Sequence, residues 1–192
     1  MFAMPGLAAA GRAACVHCPA MSRGILLWPD DAASGAVRAI WERLAERGLP
    51  SLATHTHRLH RPHVSLVVAE DLPVAATLAA VGVVPARPIP LSIVSAGIFP
   101  GGVLYLTCVV TPELLAEQRR VRDLVMPLAR DPWPYFEPGG WTPHLTSALE
   151  LTPAQVAEAL PVVLGALPIS GWHDLGGLED GTTGERWPTP GP

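Results

Sequence analysis

The sequence predicts an α+β fold of two similar lobes, related by a pseudo-twofold axis and sharing one groove. Three observations predict it. Strand-like and helix-like segments alternate along the chain. The stretch RPHVSLVVAEDLP (61–73) is matched by TPHLTSALELTP (142–153), each with Pro-His-aliphatic-hydroxyl, an apolar strand, an acidic residue, a proline and a helix. The matched histidines, His63 and His144, lie 81 residues apart, close to half of the chain from Met21 onward. A chain of 192 residues is long enough to bury a core in one domain or two small lobes.

In order, GILLWP (24–29) is a short apolar run closed by proline and predicts a strand. Asp30 and Asp31 can cap a helix in which Val37, Ile40, Trp41 and Leu44 recur at helical spacing, ended by Gly48-Leu49-Pro50. Residues 51–62 are a connection, and Pro62 favours extended backbone before the strand HVSLVVAE (63–70). A short Ala-rich helix follows over 73–82. IPLSIVSAGIF (89–99) and GVLYLTCVV (102–110), separated by Pro100-Gly101-Gly102, form a hairpin. Thr111-Pro112-Glu113 opens a helix expected to reach Arg130. After the turn-rich, aromatic loop 131–141, HLTSALEL (144–151) is a strand and Thr152-Pro153 opens a helix to about Leu164. A last strand spans 167–175, and 176–192 is expected to be a loose tail. Residues 1–20 lack a basic n-region and are broken by Pro5, Gly6 and Gly11, so they are read as a disordered extension with Met21 as the start of the folded part, residues 21–175.

Composition narrows the function. The net charge is −4, every basic residue is an arginine, and no run of arginines exists to grip long nucleic acid by counterion release. A small nucleotide or a single RNA end remains compatible with that charge. No apolar stretch is long enough to span a bilayer. Cys15, Cys18 and Cys108 are too few and too unevenly placed for a disulfide framework, and the Cys15/Cys18 pair lacks a matching Cys/His pair at zinc spacing. Cys108, inside an apolar strand, reads as a buried, inert thiol.

Residues two apart in a strand point the same way, about 6.6 Å apart. His63 and Ser65 therefore share a face, as do His144 and Thr146, while Val64, Leu66, Leu145 and Ala148 turn to the apolar side. Two such faces lining one groove suit a phosphodiester. One neutral imidazole takes a proton from the attacking oxygen, the other, protonated, gives one to the leaving oxygen, and the hydroxyls bond the phosphate oxygens. Arg61, two before His63, is a candidate for the phosphate, and Tyr135 and Trp141, near the second motif, are candidates to stack on a base. Trp28 and Trp41 read as core.

The paired motifs His63-Val64-Ser65 and His144-Leu145-Thr146 resemble the 2H phosphoesterase superfamily, which includes 2'-5' RNA ligase-like proteins and RNA 2',3'-cyclic phosphodiesterases. The resemblance covers roughly 23–175. It implies a bilobal fold with two antiparallel sheets lining a central cleft and helices outside. It implies catalysis by His63 and His144 without metal or cofactor, phosphate binding by Ser65 and Thr146, and a cytoplasmic, monomeric enzyme opening 2',3'-cyclic phosphates on RNA ends or small nucleotides, with ligase-like activity as a variant. Ser65 stands where the family more often has threonine, and the tail from Gly176 lacks the clear final strand of the family.

Two rival readings stay open. The cleft can be a module that binds a nucleotide or RNA end without turnover. His55, His57 and His60, read here as part of a solvated loop, can instead form a transition-metal site with His63.

Overall fold

A computed structural model of the protein describes residues 22–85 and 87–190. The expectations for residues 1–20, for Cys15 and Cys18, and for Met21 as a start lie outside the described residues.

The chain folds as β1 (Arg23–Pro29), α1 (Asp31–Glu46), β2 (Val64–Asp71), α2 (Val74–Val81), β3 (Ile89–Phe99), β4 (Val103–Cys108), α3 (Pro112–Val125), β5 (Arg130–Pro132), β6 (His144–Ala148), α4 (Pro153–Leu164), β7 (Ile169–Asp180) and β8 (Arg186–Pro188). The helix starts follow their caps. Asp30 accepts the Ala33 N–H at 2.8 Å, Thr111 accepts the Leu114 N–H at 3.2 Å, and Thr152 with Gln155 forms a capping box. Pro112 and Pro153 occupy first-turn positions where no N–H is needed.

The larger departures from expectation lie in the second half of the chain, where β6 also ends early, at Ala148. Helix α3 stops at Val125 and tightens into a 3₁₀ turn over Met126–Leu128, because Pro127 lacks an N–H and its ring clashes with the preceding turn. The freed segment then adds β5 to the edge of β2, pairing Ala69 with Pro132 and Asp71 with Arg130. The region expected to be a loose tail instead carries strand to Asp180 and, after a turn, a further strand to Pro188. β7 runs on to Asp180 along β1, and β8 pairs with it through Leu178 and Trp187. Gly176 and Gly177 read as turn residues in sequence, but here they admit close backbone approach. A Cβ on Gly176 would collide with the Leu26 carbonyl, and one on Gly177 would meet the Trp187 carbonyl at 2.6 Å. Arg23 of β1 joins Asp71 of β2 at 2.8 Å and Asp180 of β7 at 3.5 Å, and Arg186 pairs with Glu179 at 2.6 Å.

All strand pairs are antiparallel, in the order β5-β2-β1-β7-β3-β4-β6, with β8 on β7. The units β2-β1-β7 and β6-β4-β3 correspond strand for strand about an axis between β3 and β7, where Leu91 faces Gly171. The two expected sheets are thus the halves of one curled ladder, and β2 and β6 come into contact although four strands lie between them in the order. Helices cross over the axis: α1 packs on β6, and α3 packs on β2.

One apolar cluster serves both halves. It joins Ile25 and Leu27 of β1, Ile40 and Leu44 of α1, Leu66 of β2, Leu104 and Leu106 of β4, and Leu145 of β6, all 0% exposed. Each such side chain contributes about 1.5–3 kcal/mol by leaving water. Cys108 belongs to this cluster, and burial pushes its thiol up to about 12. No helix among the described residues is long and apolar enough to cross a membrane.

Candidate active site

The two motif strands are copies down to their irregularities. In β2 the register with β1 slips between Val67 and Ser65, leaving Leu66 as an extra residue. In β6 the register with β4 slips between Ala148 and Thr146, leaving Ser147 as the extra residue. Leu66 and Ser147 hold the same place in the repeat, so each strand carries a bulge immediately after its hydroxyl residue. Before the bulge, side chains alternate. Val64 and Leu145 are buried while His63, Ser65, His144 and Thr146 are partly exposed on the opposite face. At the bulge, two successive side chains turn to the core: Leu66 with Val67, and Ser147 with Ala148, all 0% exposed. That places Ala148 on the apolar side as expected, by a device that strict alternation lacks.

Each imidazole is tied down in the same way. His63 Nδ1 lies 2.8 Å from the Arg61 carbonyl, and His144 Nδ1 lies 2.7 Å from the Thr142 carbonyl. A carbonyl can only accept, so Nδ1 carries the proton and a neutral ring presents a bare Nε2 lone pair. The intervening Pro62 and Pro143 hold the preceding residue extended, which aims that carbonyl back at the ring. The x-Pro-His spelling of both motifs is therefore a positioning device. Burial lowers the His144 pKa below the ordinary histidine value, the nearby His63 lowers it further, and the Thr142 carbonyl opposes both.

Directly paired residues share a face, so the register identifies what surrounds the motifs. Thr107 faces His144 and Tyr105 faces Thr146, and across the hairpin Gly97 faces Tyr105. Phe99 and Tyr105 stack at 4.0 Å, and both rings meet His144 edge-on, at 4.9 and 5.2 Å. Gly97 makes this possible, because a Cβ there would collide with the Tyr105 hydroxyl. On the other side Leu26 faces Ser65, and Trp28, two residues on, faces Asp174. The Arg61 guanidinium lies over the Trp28 ring, 4.5 Å from its centroid. The same face continues to Trp172, where an open hollow of about 450 Å³ is lined by Asp30, Pro88, Trp172 and Asp174.

The other sequence candidates divide. Arg61 lies on the motif face, with its guanidinium over the Trp28 ring. Tyr135 sits half-exposed on a 3₁₀ turn, Pro134–Phe136, and among the described residues makes no ring contact with either histidine. Trp141 packs against the core, and its indole N–H donates to the Ser65 carbonyl at 2.9 Å. Trp41, buried as expected, likewise donates to the Thr146 carbonyl at 3.1 Å.

The loop histidines are more ordered than a solvated loop. His57 and His60 lie 4.3 Å apart by ring centroids, His55 and His60 5.7 Å. His57 Nδ1 accepts the Leu59 N–H, His60 Nε2 meets the Thr56 hydroxyl, and Arg186 of β8 donates to the Leu59 carbonyl. Burial and the neighbouring imidazoles lower His60 to about 4. Among the described residues no three His, Cys, Asp or Glu side chains are arranged to hold a metal ion.

Sequence reasoning missed Phe99 and Tyr105. Their signal was the aromatic spacing in the hairpin, which acquires meaning once the register sets Tyr105 opposite Thr146.

A family profile described as 2'-5' RNA ligase superfamily matches residues 29–174. No curated protein matches the chain. Among solved structures, the apo form of E. coli LigT is similar with a TM-score of 0.56 at 13% identity, covering 88% of this chain and 95% of LigT. Usb1 of Kluyveromyces marxianus is similar with a TM-score of 0.46 at 9% identity, covering 88% of this chain and 96% of Usb1. Usb1 with uridine monophosphate gives 0.47 at 9%, covering 88% and 98%. The likeness to LigT is one of fold. Because the profile runs from the end of β1 into β7 and takes in both x-Pro-His strands, the chain belongs to the 2'-5' RNA ligase superfamily, the 2H phosphoesterases.

Proposed function

We propose that the protein is a phosphodiesterase that opens 2',3'-cyclic phosphates on RNA ends or small nucleotides. The observation that carries this reading is the matched pair of imidazoles, each tethered at Nδ1 by a carbonyl two residues earlier and each leaving Nε2 for chemistry. One neutral imidazole removes a proton from water as its oxygen bonds to phosphorus. The other, protonated, delivers a proton to the ribose oxygen as the ring P–O bond breaks. The product is a phosphomonoester with one ribose hydroxyl restored, and the two histidines have exchanged protonation states. Ser65 and Thr146 hold the non-bridging oxygens, where negative charge grows in the transition state. Arg61, kept on the motif face by Trp28, supports the phosphate with a fixed positive charge. Phe99 and Tyr105 supply an apolar wall beside His144 for a nucleoside. Both proton transfers are assigned to imidazoles, so turnover is expected to persist in chelator.

The test is hydrolysis of a panel of 2',3'-cyclic nucleotides and cyclic-phosphate-terminated RNA by wild type, H63A and H144A. Each variant is expected to lose about 10²- to 10⁴-fold in turnover. Undiminished activity in either variant rejects the assignment. Nucleotide binding by wild type with no product instead assigns the cleft to binding alone.

A further inference from the structure

We infer that Trp41 and Trp141 are positioning residues in a crossed arrangement, each holding the hydroxyl residue of the motif in the opposite half. Trp41 lies on α1 in the first half, and its indole N–H donates to the Thr146 carbonyl of the second motif at 3.1 Å. Trp141 lies three residues before His144 in the second half, and its indole N–H donates to the Ser65 carbonyl of the first motif at 2.9 Å. The exchange extends to the bulges. The Leu66 carbonyl accepts from the Gln118 amide of α3 at 3.3 Å, and the Ser147 carbonyl accepts from the Leu52 N–H, after α1, at 3.1 Å. All four carbonyls at the ends of the two motifs are thus satisfied by the other half of the molecule.

The arrangement has a physical reason. β6 is an edge strand, and β2 is covered by β5 only from Ala69 onward, so the carbonyls beside the hydroxyl residues have no ladder partner there. A bulge further releases the backbone from register. Left to water, these segments would be free to shift, and the hydroxyls with them. A buried indole is a rigid donor, and Trp41 is 3% exposed. Because each bond crosses the axis, it fixes one motif relative to the other. Catalysis by two opposed imidazoles depends on that relation, since small misplacements of reacting groups are costly.

The inference rests on the proposed phosphodiesterase reading, and its test separates the two. Trp141→Phe and Trp41→Phe keep the ring and remove the donor. Each is expected to lower kcat by about two- to tenfold, the range of one neutral hydrogen bond, with a smaller change in KM. The deciding result is the pattern of coupling. W141F should add little in an S65A background but act in full in a T146A background, and W41F should do the reverse. Coupling of each tryptophan to the motif of its own half, or equal effects in both backgrounds, overturns the inference. Hydrogen exchange of the indole N–H groups in wild type tests the bonds without a variant. Trp41 and Trp141 should exchange far more slowly than Trp172, which is 53% exposed, and equal rates overturn the inference. If H63A and H144A retain activity, the phosphodiesterase reading falls, and the exchange measurement still reports on the crossed bonds.

Discussion

The surroundings of His63 and of His144 are alike in backbone and unlike in side chains. Both rings bond the carbonyl two residues before, both strands bulge after the hydroxyl, and both hydroxyl residues have a carbonyl held by an indole from the other half. Around His63 the neighbours are polar and cationic: Arg61 on Trp28, His60, and Arg186 close to both. Around His144 they are Phe99 and Tyr105. The duplicated backbone delivers two equivalent imidazoles, and unequal side chains give each a different medium. That division is what the proposed function calls for, since a nucleotide offers the site two unlike ends, a charged phosphate and a planar base.

The largest expected effects test the shared part. H63A and H144A should be comparably damaging, by about 10²- to 10⁴-fold, because in the proposed mechanism each removes one of two proton transfers. A tenfold or smaller loss in one with the full loss in the other would show that the equivalence of the backbones does not extend to chemistry. Kinetics on one cyclic nucleotide at saturating and limiting concentration measures this.

A second comparison lies in the core. The position in β3 that matches His173 of β7 about the axis is Ile93, and both are 0% exposed. Among the described residues neither ring nitrogen of His173 has a hydrogen-bond partner, and burial lowers its pKa to about 4. Between about pH 4 and the unfolded value near 6.5 the unfolded chain binds the extra proton, so stability rises with pH across that window and is fully present above it. The accumulated loss toward pH 4 is about 3 kcal/mol. H173I, which copies the other half, is expected to flatten this part of the stability curve, measured by denaturant unfolding at pH 7 and pH 5. An unchanged slope would mean that the imidazole is not protonated on unfolding, or finds a partner when folded.

How much was legible in the sequence follows from what each feature depends on. The two x-Pro-His strands were visible because proline, histidine and a short aliphatic alternation survive as spelling. Bulges have no spelling. Leu66 and Ser147 share no chemistry, and their common role appears once β1 and β4 supply a register. β7 beyond Leu175 was hidden because Gly176 and Gly177, which serve close packing, look the same in sequence as turn residues. β5 is an Arg-Asp-Pro triplet with no apolar residue to announce it. Trp141 was singled out for its neighbourhood to His144, but its hydrogen bond goes to Ser65, 76 residues away.

The hydroxyls should matter less than the imidazoles, and equally to one another. Under the proposed function S65A and T146A each remove one bond to a charged oxygen, an expected effect of about ten- to a hundredfold on kcat/KM. A much more severe T146A would break that equality and show that Arg61, on the Ser65 side, makes up for the missing serine hydroxyl. Restoring the family's commoner residue with S65T should leave activity within a few-fold, because the hydroxyl and its strand position are retained.

The smallest effect bears on the difference between the halves. Burial against Phe99 and Tyr105, with His63 nearby, lowers the His144 pKa, so its neutral form persists below the ordinary histidine value of about 6.5. The profile of kcat/KM against pH should therefore have one limb below 6.5. If His144 is the base, that limb is the acid one and activity falls as pH drops through it. If His144 is the acid, activity falls as pH rises through it. Y105A admits water to the ring and is expected to move this limb upward toward 6.5, while R61A, on the other side, should leave it in place. A limb that stays put in Y105A, or moves equally in R61A, would show that the aromatic wall does not set the protonation of His144, and would remove the distinction between the two halves.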